Sequence, residues 1–161
     1  MRYCIIITQA LLVLICDQAS KWFVDKHIDF YTQIEVTSFF NLVNVHNYGA
    51  AFGIFNDPNG TWQFWLFMGT TLLATGIIYF MARNAREQDK ALFVALGFIF
   101  GGALGNFTDR IRFGAVMDFL DFHAAGFHWP AFNVADIAIC IGVILAGYII
   151  IRSPAVYEKA Q

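Results

Sequence analysis

Four long apolar runs separated by short polar stretches dominate the pattern along the chain. They cover Tyr3 to about Val24, Trp62 to about Ala82, Ala91 to about Phe107 and Asn133 to about Ile151. Each is close to the roughly 20 apolar residues that an α-helix needs to cross a hydrocarbon core. Between the first two runs, residues 25–60 show no helical periodicity. TQIEVTSFF and LVNV are rich in β-branched and aromatic residues with partial alternation, which predicts short strands. Asn56-Asp57-Pro58-Asn59-Gly60 then forms a turn cluster before Trp62.

Composition points the same way. Hydrophobic residues make up 58% of the 161-residue chain and charged residues only 14%, with a mean hydropathy of +0.57. Typical soluble domains are about a quarter charged, so too little charge is present here to cover a water-facing surface. The predicted class is an all-α integral membrane bundle of four transmembrane helices, with a small extracytoplasmic sheet and an outer loop, in one domain. A net charge of −2 gives no reason to expect a nucleic-acid partner.

Lysine and arginine placement orients the bundle. Arg2, Arg83, Arg86, Lys90, Arg152 and Lys159 lie on the side of the termini and the short 83–90 connector, and only Lys21, Lys26, Arg110 and Arg112 lie on the other. The positive-inside rule predicts cytoplasmic termini, with the strand-rich region and the acidic stretch outside.

Against this apolar background the ionisable residues stand out. Asp109, Asp118, Asp121 and Asp136 fall within Gly101–Asp136, beside Arg110, Arg112, Asn106 and Asn133. Ionisable groups at a membrane boundary are costly, which makes them functional candidates. Gly102, Asn106, Asp109 and Arg110 recur at helical spacing and form one polar stripe. Asp17, Ser20 and Lys21 share a face of the first helix, and Asp17 and Lys21 are candidate partners for that stripe. Gly101 and Gly105 form a small-xxx-small pattern for close helix packing.

Asn133 stands at the N-cap position of the last helix, with Asp136 on its first turn, where the helix dipole favours a carboxylate. Asp118 lies in the alternating run FGAVMDFLDF. Strand geometry would turn Asp118 and Asp121 to opposite faces, leaving Asp121 toward water. Asn47 sits next to the small residues Gly49, Ala50 and Ala51, where it could be a turn residue or a site residue.

Two carboxylates held close together cannot both ionise easily. They share a proton, so one acts as base toward water while the other protonates the oxyanion or leaving amine. That is peptide hydrolysis without a metal or a covalent intermediate. His123 and His128 in HAAGFH lack metal-site spacing, and none of the serines Ser20, Ser38 and Ser153 lies in a nucleophile turn. Cys4, Cys16 and Cys140 each lie inside an apolar run and read as small buried hydrophobes.

The ordered motifs resemble those of signal peptidase II, the bacterial prolipoprotein signal peptidase. DQASK (17–21), NYGAAF (47–52), GNFTDR (105–110), VMDF (116–119) and FNVAD (132–136) look like its five boxes and span nearly the whole chain. Gly53 departs from the family, many of whose members have Ser there. The resemblance implies a membrane aspartyl endopeptidase of the bacterial cytoplasmic membrane, cutting prolipoproteins just before a diacylglyceryl-modified cysteine. It implies catalysis by Asp118 and Asp136 at the extracytoplasmic face. Asn47, Asn106, Arg110 and Asn133 would bind or orient the substrate and the pair, with Asp17, Lys21 and Asp109 as a supporting polar network. It also implies no metal or organic cofactor, contact with membrane lipid, and a monomer. Two other classes compete. An ion pathway would place carboxylates near mid-span, whereas these cluster at one boundary. A structural subunit gives no reason for two acids converging on one side.

Overall fold

The computed structural model describes residues 1–49 and 54–152. Ala50, Ala51, Phe52 and Gly53 of the NYGAAF region, and the tail 153–161 with Ser153 and Lys159, lie outside the described residues. Four helices, α1 (Arg2–His27), α2 (Trp62–Asn84), α3 (Lys90–Phe113) and α4 (Val134–Arg152), are each long and apolar enough to cross a membrane. An antiparallel sheet in the order β1-β2-β3-β4 comprises β1 (Gln33–Thr37), β2 (Phe40–Asn47), β3 (Val116–Ala124) and β4 (Phe127–His128).

α3 is the central helix. α1 and α4 pack along it closely, and α2 touches it more lightly. Small residues make this possible. A methyl group at Gly101 would stand 2.6 Å from the Ala10 carbonyl oxygen of α1, and one at Gly142 of α4 would stand 2.7 Å from that of Ala95 in α3. Gly105 faces Asp17 on one side and Ala135 on the other. The glycine pattern of α3 therefore sets how near the first and last helices come to one another.

Two apolar clusters bracket the polar residues. One, with Ile6, Ile78, Leu92, Phe93 and Leu96, lies at the end where Arg2 is ion-paired to Glu87 of the α2–α3 connector at 2.6 Å. The other, Val24, Ile28, Met117 and Phe119, seats β3 on the end of α1. Large apolar side chains elsewhere turn outward, as Leu72, Leu73, Phe80 and Ile144 do. In a lipid solvent an outward leucine carries no hydrophobic penalty. The same physics corrects one sequence expectation: Cys4, Cys16 and Cys140 are exposed on helix surfaces, not buried.

α3 continues beyond Phe107 to Phe113, so Asp109 and Arg110 are helical. It stops at Gly114, whose φ of +71° is the left-handed conformation that glycine adopts at helix ends. β3 starts two residues later and pairs with β2. The β2–β3 register slips by one residue between Leu42 and Val45, a bulge that puts Asn41 opposite Asp121 and Val45 opposite Asp118. Opposed residues share a face, and Asp118 and Asp121 lie three apart on β3. The bulge therefore turns Asn41 and Asn47 to opposite faces, although their even spacing alone would put them on one.

Candidate active site

α4 begins with a reciprocal cap. The Asn133 side-chain oxygen accepts the N–H of Asp136 at 3.0 Å, and Asp136 Oδ2 accepts the N–H of Asn133 at 3.2 Å. This capping box locks the Asp136 carboxylate against the first turn. The amide nitrogen of Asn133 remains available, and it donates to Asp118 Oδ1 at 2.7 Å. One fully buried residue thus ties the strand-borne acid to the helix-borne acid.

Two further amides complete the arrangement. Asn106 of α3 donates to Asp136 Oδ1 at 2.8 Å, and Asn47 at the end of β2 donates to Asp118 Oδ2 at 3.1 Å. Val45 stands directly opposite Asp118, so Asn47 reaches it along the strand diagonal. The Arg110 guanidinium donates to the carbonyls of Asn106 and Gly49, each at 3.3 Å, and lies 4.3 Å from the Phe67 ring centroid of α2. All six of these residues except Asn133 line one cleft of about 540 Å³. Burial, followed by the neighbouring Asp136 charge, pushes the Asp118 carboxyl up to about 7. Amide donors from Asn47 and Asn133 work against that rise without cancelling it.

Beneath the cleft lies the supporting network. Lys21 Nζ sits 2.8 Å from Asp17 Oδ2 and 2.6 Å from Asp109 Oδ2. It does not extend to solvent, being only 4% exposed. Arg110 takes no part in this triad. Gln18, which sequence reasoning passed over, donates to Asp109 Oδ1 at 2.8 Å. Its place one residue from Asp17, in the same DQASK box, was the available signal.

Asp121 is placed differently from the sequence expectation. It is 6% exposed, accepts from Asn41 at 2.9 Å and lies 3.0 Å from His128 Nδ1. It faces away from Asp118, as strand alternation requires, but Asn41, His128 and the β4 hairpin cover it from water. His123 stacks on His128 with 4.9 Å between ring centroids. Among the described residues, no group of three His, Cys, Asp or Glu side chains is arranged to hold a metal ion.

The rest of the cleft is apolar. Ile137, Cys140, Ile141 and Ile144 of α4 line one wall, and Trp129, Pro130 and Phe132 line its mouth. The helical spacing of the four α4 residues is plain in the structure. It was invisible in the sequence because α4 is apolar all round, so no face is marked.

Comparison with known proteins adds independent findings. The sequence model of the family described as signal peptidase (SPase) II matches residues 9–152. A lipoprotein signal peptidase from Nitratidesulfovibrio vulgaris (strain DP4) is 48% identical over 156 residues, covering 96% of this chain and 94% of the relative. One from Vibrio cholerae serotype O1 (strain ATCC 39541 / Classical Ogawa 395 / O395) is 46% identical over 144 residues, covering 86% of this chain and 84% of the relative. A bacterial membrane enzyme solved by the in meso method at 2.3 Å resolution superimposes with a TM-score of 0.81 at 29% identity, over 97% of this chain and 93% of that one. A second, at 1.9 Å, gives 0.77 at 32% identity, over 91% of this chain and 92% of that one.

Proposed function

The chain belongs to the signal peptidase II family, and on that premise we propose that Asp118 and Asp136 are the pair with which this lipoprotein signal peptidase cuts its prolipoprotein substrates. The observation that carries the assignment is the shared use of Asn133. Its side chain holds Asp118 and its cap holds Asp136, at the head of one cleft.

The chemistry follows from the different settings of the two acids. Asp118, buried and raised to about 7, is the member that keeps a proton near neutrality. Asp136, at the N-terminus of α4 and bonded by Asn106, is the carboxylate. A water between them loses a proton to Asp136 as it attacks the scissile carbonyl, and Asp118 gives its proton to the carbonyl oxygen. Asp136 then gives its proton to the leaving nitrogen as Asp118 takes one back from a hydroxyl of the tetrahedral intermediate; the C–N bond breaks, and the signal peptide leaves with a new carboxyl terminus. Asn47 and Asn106 hold the two carboxyl groups from opposite sides, and Arg110 offers its guanidinium to the backbone of the bound segment.

The apolar wall of α4 suits a substrate whose signal helix and acyl chains stay in the bilayer, with cleavage just before the diacylglyceryl-modified cysteine. The multi-pass bundle sits in the bacterial cytoplasmic membrane with both termini inside, the cleft at the outer face, and one copy sufficient for catalysis. The placement of Lys and Arg supports this orientation, and so does the pairing of Arg2 with Glu87, which puts the N-terminus and the α2–α3 connector at one end. The test is cleavage of a diacylglyceryl-modified precursor peptide by the purified protein in detergent. Asp118→Asn and Asp136→Asn should each abolish product while leaving the fold intact; most activity surviving in either variant would sink the assignment.

A further inference from the structure

Asp17 and Asp109 do more than neutralise Lys21. Asp17 Oδ1 accepts the N–H of Ala135 at 2.9 Å, and Asp109 Oδ2 accepts the N–H of Met117 at 3.3 Å. Ala135 and Met117 are the residues immediately before Asp136 and Asp118. Each acid of the triad therefore holds the backbone one step ahead of one cleft acid. Lys21 bridges the two acids, and a third contact reaches Asn106 Oδ1 at 3.3 Å. That oxygen also accepts from Asn133 Nδ2 at 3.2 Å, and with both donors on it the Asn106 amide presents its nitrogen to Asp136. The whole set is buried, with Asp17 0%, Asp109 1% and Lys21 4% exposed.

Helix cohesion alone would be served by any pairing of charges between α1 and α3. It gives no reason for both acids to end on the two segments that carry Asp118 and Asp136, nor for the ammonium to join Asn133 in holding an amide that touches one of them. We propose that Lys21 is a positioning residue of this enzyme. Through Asp109, Asp17 and Asn106 it sets the separation and orientation of Asp118 and Asp136, without touching substrate. The inference rests on the reading of Asp118 and Asp136 as the catalytic pair. Without the ammonium, two buried carboxylates repel, and each draws one catalytic segment with it. Misplacement by about 1 Å costs on the order of 100-fold in rate.

The experiment is steady-state cleavage of a diacylglyceryl-modified precursor peptide by full-length Lys21→Met and Lys21→Gln in detergent, with thermal unfolding run on the same samples. The expected result is a kcat lower by on the order of 100-fold, with KM within about threefold of the parent's, because Lys21 does not line the cleft. Among the described residues, the titratable and charged groups facing this site are Asp17 of α1, His46 of β2, Asp109 and Arg110 of α3, Asp118 of β3 and Asp136 of α4. Lys21 is the cation of the triad and lowers the proton affinity of Asp118, so its loss should also move the upper limb of the pH profile to higher pH. A merely structural role would shift neither the limb nor kcat at constant KM. A folded variant with kcat within threefold of the parent's would overturn the proposal, and so would a loss carried by KM. If Lys21→Met does not fold, Lys21→Gln decides by the same readouts, and failure of both to fold would assign Lys21 to folding and overturn it. Asp118→Asn and Asp136→Asn serve as controls. Activity surviving in them overturns the dyad itself, whereas inactive controls beside an active Lys21 variant overturn the positioning role alone.

Discussion

Asn133 holds Asp118 by its side-chain amide at 2.7 Å while its carbonyl oxygen is already engaged by the N–H of Asp136 at 3.0 Å. Neither end of that amide is spare. A residue that would suffice as a helix cap with its oxygen alone also spends its nitrogen on the acid of a neighbouring strand, which couples the start of α4 to the geometry of the cleft.

Separating those two jobs is possible. Asn133→Ser keeps a cap oxygen for the first turn but has no amide to reach Asp118. It should unfold within a few degrees of the parent, whereas Asn133→Ala should lose roughly 1 kcal/mol for the missing cap. Both should cleave lipidated precursor on the order of 100-fold more slowly. A Ser variant with parental kcat would show that the Asn133–Asp118 bond is dispensable.

The setting of Asp118 fixes the direction of a pH effect. Its carboxyl is raised from 3.8 to about 7 by burial and then by Asp136, so the protonated form dominates below about 7 and the charged form above. If Asp118 is the acid, kcat/KM should fall by about tenfold per pH unit above that value. Stability follows the same sign, because the folded state binds more protons than the unfolded one between 3.8 and about 7 and loses stability as pH rises through that window. Asp118→Asn should therefore match the parent's melting temperature near pH 4 and exceed it above pH 7. Thermal scans across that range measure it.

Arg110 reaches two carbonyls with separate nitrogens and lies over Phe67. A lysine keeps the charge but neither the fork nor the planar face. Arg110→Lys should lower kcat/KM by roughly tenfold with little change in melting temperature, and a parental kcat/KM would remove Arg110 from the site.

Gly101 is one of the points where α1 and α3 come into close contact, and any side chain there meets the Ala10 backbone. Gly101→Leu should destabilise the bundle by about 3 kcal/mol, read as a loss of thermal stability in detergent. An unchanged melting point would mean that the two helices can part without cost.

Orientation is open to a direct check in intact cells. In a background without native cysteines, Asn59→Cys should react with a membrane-impermeant maleimide from outside and Gln88→Cys only after the cells are opened. Both positions are exposed in the fold. The reverse labelling would invert the topology.

Much of this architecture was legible without coordinates. Four runs of membrane length have few alternatives, because backbone polar groups in lipid must be satisfied within a helix. The NDPNG turn, the β-branched alternation and the Asn133–Asp136 spacing each rest on interactions within a few residues, so local sequence suffices to predict them. The polar stripe of α3 was readable because its members interrupt an otherwise apolar helix. The four acids could be named on the same grounds.

What the chain order could not decide was how these pieces face one another. Asp121 was expected to face water, but Asn41 and His128 cover it from distant positions in the chain. The bulge between Leu42 and Val45 turns Asn47 toward Asp118 by a one-residue slip that no periodicity announces. The cysteines were expected inside, since apolar character marks burial in water, whereas in a bilayer it marks the outer surface equally well. The link from Lys21 to the residues before Asp118 and Asp136 spans more than 90 positions and is made by side chains meeting backbone N–H groups. Sequence determined which residues are polar where polarity is expensive, since that cost acts at each position separately. Tertiary structure decided which of them meet at one cleft and which hold the backbone, because those contacts exist only once the helices and the sheet have packed.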